Sequence, residues 1–236
     1  MGSRQELPVS AVLVHGLWAV PEDWMWVRGL LEERGVTVVA PDLPSHRSTD
    51  DGLLADVIAV RDAIVASPRP TVVVGWSYGC DVAGVAADGL EGVLRLVYVS
   101  SVPQPLHPEA RDDSWLDSIP NLVWDAQGRF VLDDGWQEDN GRPRFAAAIQ
   151  RHLDEHPRRP VPRTTMSDPV EAEAWRSIPT VALIGETDEM TSTEMRSWAR
   201  EAIGEVRDIA TDHFILFNRP EVVVDAVMGV PVANGE

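Results

Sequence analysis

A serine stands between two glycines in the stretch VVVGWSYGCD, residues 72–81. The three valines before it predict a buried strand, and the small residues after it predict a closely packed helix. G-x-S-x-G at such a junction is the pattern of a nucleophile elbow, in which the glycines leave room for a sharp turn. The pattern predicts that Ser77 exposes its hydroxyl as a nucleophile. A purely structural turn is the alternative.

A serine nucleophile needs a general base, and the chain has six histidines. His213, in IATDHFILFNRPEVV, follows the last predicted strand and precedes the last predicted helix, so its loop can reach the same sheet edge as Ser77. We expect His213 to be the base, with a histidine that merely caps the helix as the alternative. His15 and His46 are expected to be structural, and His107 indicates no role.

The segment HLDEH matches H-x-x-E-H, an inverted zinc-protease pattern that places His152 and His156 on one helical face. Pro157 ends that helix at once, and arginines flank it on both sides. We therefore expect a solvated helix face here and no metal site.

The base needs an acid to orient it, and PTVALIGETDEMTS places Asp188 just past a predicted strand. The chain order Ser77, Asp188, His213 is the order found with nucleophile elbows, so Asp188 is expected to be the acid. Asp112, Asp113 and Asp117 follow the preceding predicted strand and are rival candidates. Asp212 adjoins His213, but an extended backbone would point its side chain away from the base.

The oxyanion of an acyl-transfer reaction needs backbone N–H donors. Tyr78 directly follows the nucleophile and opens a helix, so its N–H is one candidate. Leu17, after His15-Gly16 at the end of the first predicted strand, is the second. Trp18 is a less favoured alternative.

These residues must be positioned by short β-rich runs that alternate with amphipathic stretches, a pattern typical of a parallel sheet covered by helices. The predicted strands are Ser10–His15, Thr37–Ala40, Thr71–Gly75, Leu94–Ser100, Thr180–Gly185 and Glu205–Ala210. The predicted helices lie near Pro21–Arg34, Gly52–Ala66, Tyr78–Gly89, Ser192–Ile203 and Glu221–Met228.

One region interrupts this alternation and is rich in Pro, Trp, Asp and Arg. We expect residues 1–101 and 178–236 to form the core domain and residues 102–177 to form an inserted lid. Within the lid, Leu122–Gly135 predicts a hairpin that turns at Gln127-Gly128, and RPRFAAAIQRHLDEHP predicts a helix that stops at Pro157.

The 236 residues carry 38 acidic and 20 basic side chains, a net charge of -18. Such a surface repels nucleic-acid phosphate and anionic lipid, so neither is an expected partner. All basic residues are arginines, which excludes a lysine Schiff base and a P-loop lysine.

The single Cys80, an N-terminus without an apolar run and the lack of a membrane-span pattern favour a cytoplasmic protein. The oligomeric state is left open, with a homodimer as one alternative.

The stretch VLVHGLWAVPEDWMWVRGLLEERGVTVVAPDLPSHRS, joined to GWSYG, GETDEM and DHF, resembles the α/β-hydrolase superfamily. It is most similar to small lidded esterases of the plant methylesterase and hydroxynitrile-lyase type. The resemblance implies a six-stranded, mostly parallel sheet with helices on both faces, no cofactor, and a triad of Ser77, His213 and Asp188. Where this family usually has PGHG the chain has PSHR, which would put Ser45 and Arg47 near the site entrance. The lyase members add a lysine that this chain lacks, so that reaction is disfavoured.

The expected function is hydrolysis of a small neutral carboxylic ester through an acyl-enzyme on Ser77. Thioester, lactone or C–C hydrolysis would use the same parts, and a non-catalytic ligand-binding receptor is the alternative outside enzymes. Tryptophans near the motifs and in the lid are expected to line an apolar substrate pocket, and the net charge should disfavour anionic substrates. The pocket candidates are Trp18, Trp76, Trp115 and Trp124.

Overall fold

The structure is a computed structural model that describes residues 7–47, 50–119, 121–139 and 142–230. Its strands are β1 (Ser10–Val14), β2 (Thr37–Val39), β3 (Thr71–Trp76), β4 (Val93–Val99), β5 (Leu122–Trp124), β6 (Phe130–Leu132), β7 (Glu138–Asp139), β8 (Arg142–Pro143), β9 (Thr180–Gly185) and β10 (Val206–Ile209). Its helices are α1 (Met25–Glu32), α2 (Leu53–Ala66), α3 (Tyr78–Ala86), α4 (Ala147–Glu155), α5 (Thr164–Ser167), α6 (Thr193–Ile203), α7 (Ile215–Asn218) and α8 (Pro220–Met228).

Six of the strands form one parallel sheet in the order β10-β9-β4-β3-β1-β2. The chain runs from β1 outward to β2, then returns to β3 and continues in the opposite direction. The point where this order reverses lies between β1 and β3, which pair from Ser10 with Thr71 to Val14 with Gly75. Ligands of such sheets bind outside the carboxyl ends of the strands at this switch point. Ser77 follows β3 and Leu17 follows β1, so both lie there.

Each face of the sheet packs on its own set of helices. Alternate residues along a strand point to opposite faces, and β1 accordingly divides its side chains between two apolar clusters. Ala11 and Leu13 pack in the cluster that contains residues of α1, α7 and α8. Val12 and Val14 pack in the cluster that contains residues of α2, α3 and α6. The predicted α/β-hydrolase architecture, a six-stranded sheet with helices on both faces, is thereby confirmed.

The predicted strands agree with the observed ones to within one residue at each end. The first predicted helix differs more, because Pro21–Trp24 forms a 3-10 turn and the α-helix begins only at Met25. The predicted helix from Tyr78 ends at Ala86 rather than Gly89. Ser192 caps α6, where its Oγ accepts a hydrogen bond from the N–H of Met195 at 3.2 Å.

The chain between β4 and β9 holds short elements and a small core of its own. β5 and β6 pair as the predicted antiparallel hairpin, and Asp125 Oδ1 accepts hydrogen bonds from the N–H groups of Gln127 and Arg129 in its turn. Buried in this small core are Leu116, Phe130 and Val161. Across the described residues, no helix combines the length and apolar character that crossing a membrane requires.

Candidate active site

Ser77 lies in a strained turn between β3 and α3. Its backbone angles are φ 52° and ψ -122°, a region that residues with a Cβ rarely adopt. The neighbouring glycines are required by space: a Cβ on Gly75 would collide with the carbonyl oxygen of Gly79. A Cβ on Gly79 would collide with the carbonyl oxygens of Val14 and His15. The spacing of the motif therefore reflects tight contact of the turn with α3 and with the end of β1.

The loop after β1 passes directly beside this turn. A Cβ on Gly16 would meet the carbonyl oxygen of Trp76 at 3.1 Å and the Cβ of Ser77 at 3.3 Å. The next residue, Leu17, lines the same cavity as Ser77. Tyr78 begins α3, and the N–H groups at a helix N-terminus favour negative charge. The two predicted oxyanion donors, Leu17 and Tyr78, thus belong to segments that flank Ser77.

His213 and Asp188 are in contact, as their predicted roles require. His213 Nδ1 lies 3.1 Å from Asp188 Oδ1 and 3.0 Å from Oδ2. The carboxylate of Asp188 is buried and also accepts hydrogen bonds from the N–H of Met190 at 2.9 Å and from the Thr191 hydroxyl at 3.0 Å. A carboxylate on Nδ1 leaves Nε2 as the ring nitrogen that can act as a base.

Opposing effects act on the pKa of Asp188. Burial alone would raise it, but the hydrogen bond and charge of His213, with the donors at Met190 and Thr191, leave the pKa below its ordinary value. Asp188 is therefore ionised at neutral pH, the state that orients and stabilises an imidazolium.

The other aspartates considered for this role have other partners. Asp113 and Asp117 pair with Arg163, and Asp112 accepts a hydrogen bond from the N–H of Ser114 at 3.0 Å. Asp212 does line the cavity, but its Oδ1 accepts from the N–H of Phe214 at 3.0 Å and from the side chain of Asn218 at 3.1 Å.

Trp76 joins the nucleophile turn to the histidine loop, since its indole Nε1 donates a hydrogen bond to the carbonyl oxygen of His213 at 3.1 Å. Among the hydrogen bonds of the described residues there is none between Ser77 Oγ and His213. Such catalytic hydrogen bonds are often long without substrate and shorten in the complex. Both side chains open into one cavity.

This cavity has a volume of about 710 Å³. Its wall combines the nucleophile turn, the loop after β1, the loops after β9 and β10, and parts of the β4–β9 segment. The residues that line it are Gly16, Leu17, Trp18, Trp76, Ser77, Leu132, Trp136, Arg144, Arg158, Thr187, Asp188, Glu189, Met190, Asp212, His213 and Phe214.

Two of the four tryptophans expected in the pocket line this cavity, Trp18 and Trp76. Trp115 and Trp124 do not. Trp115 is 44% exposed on the surface, and Trp124 packs against Phe130 with ring centroids 5.3 Å apart. Trp136, from the same segment, lines the cavity instead.

The expectation of a solvated face at His152 is wrong. His152 is buried, and its Nε2 lies 2.8 Å from Asp23 Oδ1. His156 Nδ1 lies 2.9 Å from the carbonyl oxygen of His152. Asp23 also binds Arg158, so His152 supports a buried ion pair behind the cavity wall.

Ser45 and Arg47 do not line the cavity either, contrary to their expected place near its entrance. Ser45 is fully buried, and its Oγ donates to Asp56 Oδ2 at 2.6 Å. The Tyr78 hydroxyl donates to the same oxygen at 2.8 Å. Arg47 is exposed and pairs with Asp42 at 3.3 Å. The PSHR stretch therefore supports the first turn of α3 from within.

The remaining histidines take structural positions, as expected. His15 Nε2 accepts a hydrogen bond from the N–H of Leu43 at 3.2 Å. Burial holds the pKa of His46 well below its ordinary value, so this ring is neutral and its Nδ1 bonds Ser45 Oγ at 3.0 Å. His107 forms a backbone bridge with Val170.

Several cavity residues were not anticipated from the sequence. Arg158 stands in the arginine-rich stretch HPRRPVPR, where nothing distinguishes it from its neighbours. Leu132 lies in a short strand without the periodicity that would predict its direction, and Trp136 was expected at the cavity only as one of the tryptophans of the lid. Phe214 could have been inferred because it adjoins His213, and Thr187 and Glu189 could have been inferred because they adjoin Asp188.

Comparison with known proteins agrees with the fold. The sequence profile of the alpha/beta hydrolase family matches residues 11–226. A search of curated proteins found no match. The pyrethroid hydrolase of Sphingobium faniae JZ-2 superposes with a TM-score of 0.69 at 19% identity, covering 96% of this chain and 98% of that one. Polyneuridine aldehyde esterase gives 0.71 at 16%, covering 96% and 99%. An extracellular alpha/beta-hydrolase of a Paenibacillus species gives 0.71 at 18%, covering 95% and 100%.

At these identities the solved structures show a shared fold, and the family assignment comes from the profile over nearly the whole chain. One of these structures is an esterase by name, in agreement with the resemblance of the sequence to small lidded esterases. Fold, profile and sequence motifs lead to one conclusion: this chain belongs to the alpha/beta hydrolase family.

Proposed function

We propose that this hydrolase cleaves carboxylic esters through an acyl-enzyme on Ser77. The observation that carries the proposal is that Ser77, in its strained turn, shares one cavity with a histidine whose Nδ1 is held by a buried carboxylate. This is the nucleophile, base and acid arrangement of acyl transfer.

In the first half-reaction, Ser77 Oγ attacks the carbonyl carbon of the ester while His213 Nε2 takes the hydroxyl proton. The resulting oxyanion receives hydrogen bonds from the backbone N–H groups of Leu17 and Tyr78. As the tetrahedral intermediate collapses, the C–O bond to the alcohol breaks and His213 returns the proton to the leaving oxygen. Ser77 is left acylated.

In the second half-reaction, His213 takes a proton from water, which attacks the acyl carbon. Collapse of the second intermediate releases the carboxylic acid and returns the proton to Ser77. Asp188, ionised throughout, holds the His213 ring and offsets its positive charge. No step of this sequence requires a cofactor.

We further propose that the chain between β4 and β9 acts as a lid. It contributes Leu132, Trp136, Arg144 and Arg158 to the cavity wall, so the substrate would be enclosed between it and the core. Seven of the sixteen lining residues are apolar or aromatic, among them Trp18, Trp76 and Trp136, and such side chains favour a neutral acyl group. Thioester, lactone and C–C substrates fit the same groups and serve as comparison substrates.

The test is hydrolysis of p-nitrophenyl esters from acetate to octanoate by the wild type and by Ser77→Ala. We expect burst kinetics in the wild type, since acylation releases the alcohol before deacylation, and no burst in the variant. If the wild type turns over no ester but shows a large ligand-induced rise in Tm, the receptor alternative replaces this proposal.

A further inference from the structure

Two residues in the wall of the Ser77 cavity carry N–H groups without acceptors. Arg158 Nη2 and Trp136 Nε1 are both buried, and neither has a hydrogen-bond partner. Both residues line the cavity. Buried donors are rarely left unpaired in proteins, and two such donors on one ligand cavity indicate a missing acceptor. The arrangement points to an oxygen atom supplied by the ligand.

The Arg158 side chain is held in place by buried residues that do not line the cavity. Its Nη1 pairs with Asp23, which is fully buried and is held in turn by His152. Its Cζ lies 5.0 Å from the ring centroid of Trp136 and 5.9 Å from that of Trp76. Only 8% of the Arg158 side chain is exposed. The guanidinium is therefore preorganised, and its free donor has a fixed place.

The charge of Arg158 is already balanced. Burial would raise the pKa of Asp23, but Arg158 and the hydrogen bond from His152 leave it below the ordinary value. Asp23 is thus ionised and offsets the guanidinium. The two unpaired N–H groups of the wall therefore lack a hydrogen-bond acceptor, whereas the positive charge of Arg158 already has a counter-charge. Asp188, Glu189 and Asp212 line the same cavity and Arg144 is the one further cation among the described residues of its wall, so the wall is net negative and a carboxylate on the ligand would add to that charge.

We propose that Arg158 Nη2 and Trp136 Nε1 together bind an uncharged carbonyl oxygen of the substrate, distinct from the carbonyl that is cleaved. A ketone oxygen has two lone pairs and can accept both N–H groups. The substrate class is then a neutral ester whose acyl chain carries a second carbonyl. This inference rests on the ester hydrolysis proposed above.

The position of Trp76 gives the direction of the acyl chain. Its ring centroid lies 6.0 Å from that of His213 and 5.9 Å from Arg158 Cζ, so Trp76 contacts both ends of the proposed path. The chain would cross Trp76 from the reacting carbonyl to the two donors. Both donor atoms are buried, so binding of the oxygen would require a shift of the partly exposed Trp136 ring on the 3-10 helix Asp134–Gln137.

The test compares aryl esters that differ at a single carbon: hexanoate and its 3-oxo, 4-oxo and 5-oxo derivatives. The monoaryl ester of pentanedioate serves as the carboxylate arm. Each kcat/KM is divided by the rate constant of hydroxide-catalysed hydrolysis, which removes the intrinsic activation of the 3-oxo ester. A hydrogen bond to a charged donor predicts a preference for one oxo ester over hexanoate of roughly tenfold or more.

Two variants then test whether the N–H groups of Trp136 and Arg158 cause the preference for an oxo ester. Trp136→Phe removes one donor and keeps the ring, and Arg158→Lys removes the guanidinium fork and keeps a cation beside Asp23. We expect both to reduce the ratio of oxo ester to hexanoate toward one, and because this is a ratio within each variant, any general loss of activity cancels. Trp115→Phe, on the surface, is the matched control and should keep the wild-type ratio.

The outcomes separate this inference from the proposed function. If hexanoate is hydrolysed but no oxo ester is preferred, the inference is wrong and the ester hydrolase stands. A preference that survives in both variants, or a higher rate for the pentanedioate ester than for every oxo ester, also overturns it. Failure to hydrolyse any member contradicts the proposed function, and the inference with it.

Discussion

The indole Nε1 of Trp76 donates a hydrogen bond of 3.1 Å to the backbone carbonyl of His213. Trp76 immediately precedes Ser77, and it is a buried residue that lines the cavity. One side chain therefore ties the turn that carries the nucleophile to the loop that carries the base. This contact fixes the backbone of His213, whereas Asp188 fixes its ring.

Trp76→Phe should therefore lower kcat more than it raises KM. The phenyl ring retains much of the apolar packing, but the His213 carbonyl loses its donor, which corresponds to roughly a tenfold loss of kcat/KM for one hydrogen bond. Steady-state kinetics on one aryl ester measure the split between the two constants. A change in KM alone would show that Trp76 acts only as cavity wall.

Asp188→Asn should reduce turnover on the order of 10³ to 10⁴-fold, because an amide cannot stabilise the imidazolium and favours the wrong tautomer. Asp117→Asn is the matched control, since Asp117 is an exposed aspartate that pairs with Arg163. Its kcat should stay close to that of the wild type. A larger loss in Asp117→Asn than in Asp188→Asn would reassign the acid.

Gly75, two residues before the nucleophile, should not tolerate a methyl group. Gly75→Ala places a Cβ against the backbone of Gly79 and Cys80, so we expect a loss of about 2 kcal/mol or more in the free energy of unfolding, together with loss of activity. Gly29→Ala is the matched control, because a methyl group on Gly29 in α1 would meet no neighbouring atom within 4 Å.

That control should gain about 0.5–1 kcal/mol, the helical preference for alanine over glycine. Urea unfolding of both variants and of the wild type gives the two differences. Equal stability changes of the same sign would contradict the steric account of the turn.

Asp81 should make stability depend on pH in an unusual direction. Burial raises its pKa to about 6 against the opposing effect of Arg111, whose Nη1 lies 3.4 Å from Asp81 Oδ2. Between the unfolded pKa and this value, the folded protein holds the proton and the unfolded chain does not. The contribution of Asp81 to stability is thus fully present below about pH 4 and is lost as the pH rises through about 6.

The measurement is the difference in unfolding free energy between the wild type and Asp81→Asn from pH 4 to pH 7. Between these two pH values the wild type should lose about 2 kcal/mol relative to the variant, which follows from the shift of the pKa. Groups common to both proteins cancel in this difference. A wild type that gains stability over the variant as the pH rises would contradict the assignment.

The sheet and the candidate triad could be predicted from the sequence because their signals are local. β-branched runs define β1, β3 and β9, and the glycines that flank Ser77 are required by the turn itself. Asp188 and His213 were located by strand ends and chain order, which the parallel topology brings to one edge. The β4–β9 segment lacks such periodicity.

Directions of side chains in that segment depend on long-range packing. Trp136 and Trp115 look alike in sequence, yet one lines the cavity and the other is exposed. His152 was misjudged because its partner, Asp23, lies 129 positions away. Arg158 could not be singled out among neighbouring arginines for the same reason.

If Ser77 is the nucleophile, it is the residue that a reagent specific for activated serines should modify. A fluorophosphonate should add one adduct per chain by intact mass, and peptide mapping should place it on Ser77. Ser77→Ala, with an unchanged Tm, should remain unlabelled. An adduct on another residue, or labelling that persists in Ser77→Ala, would show that Ser77 is not the nucleophile.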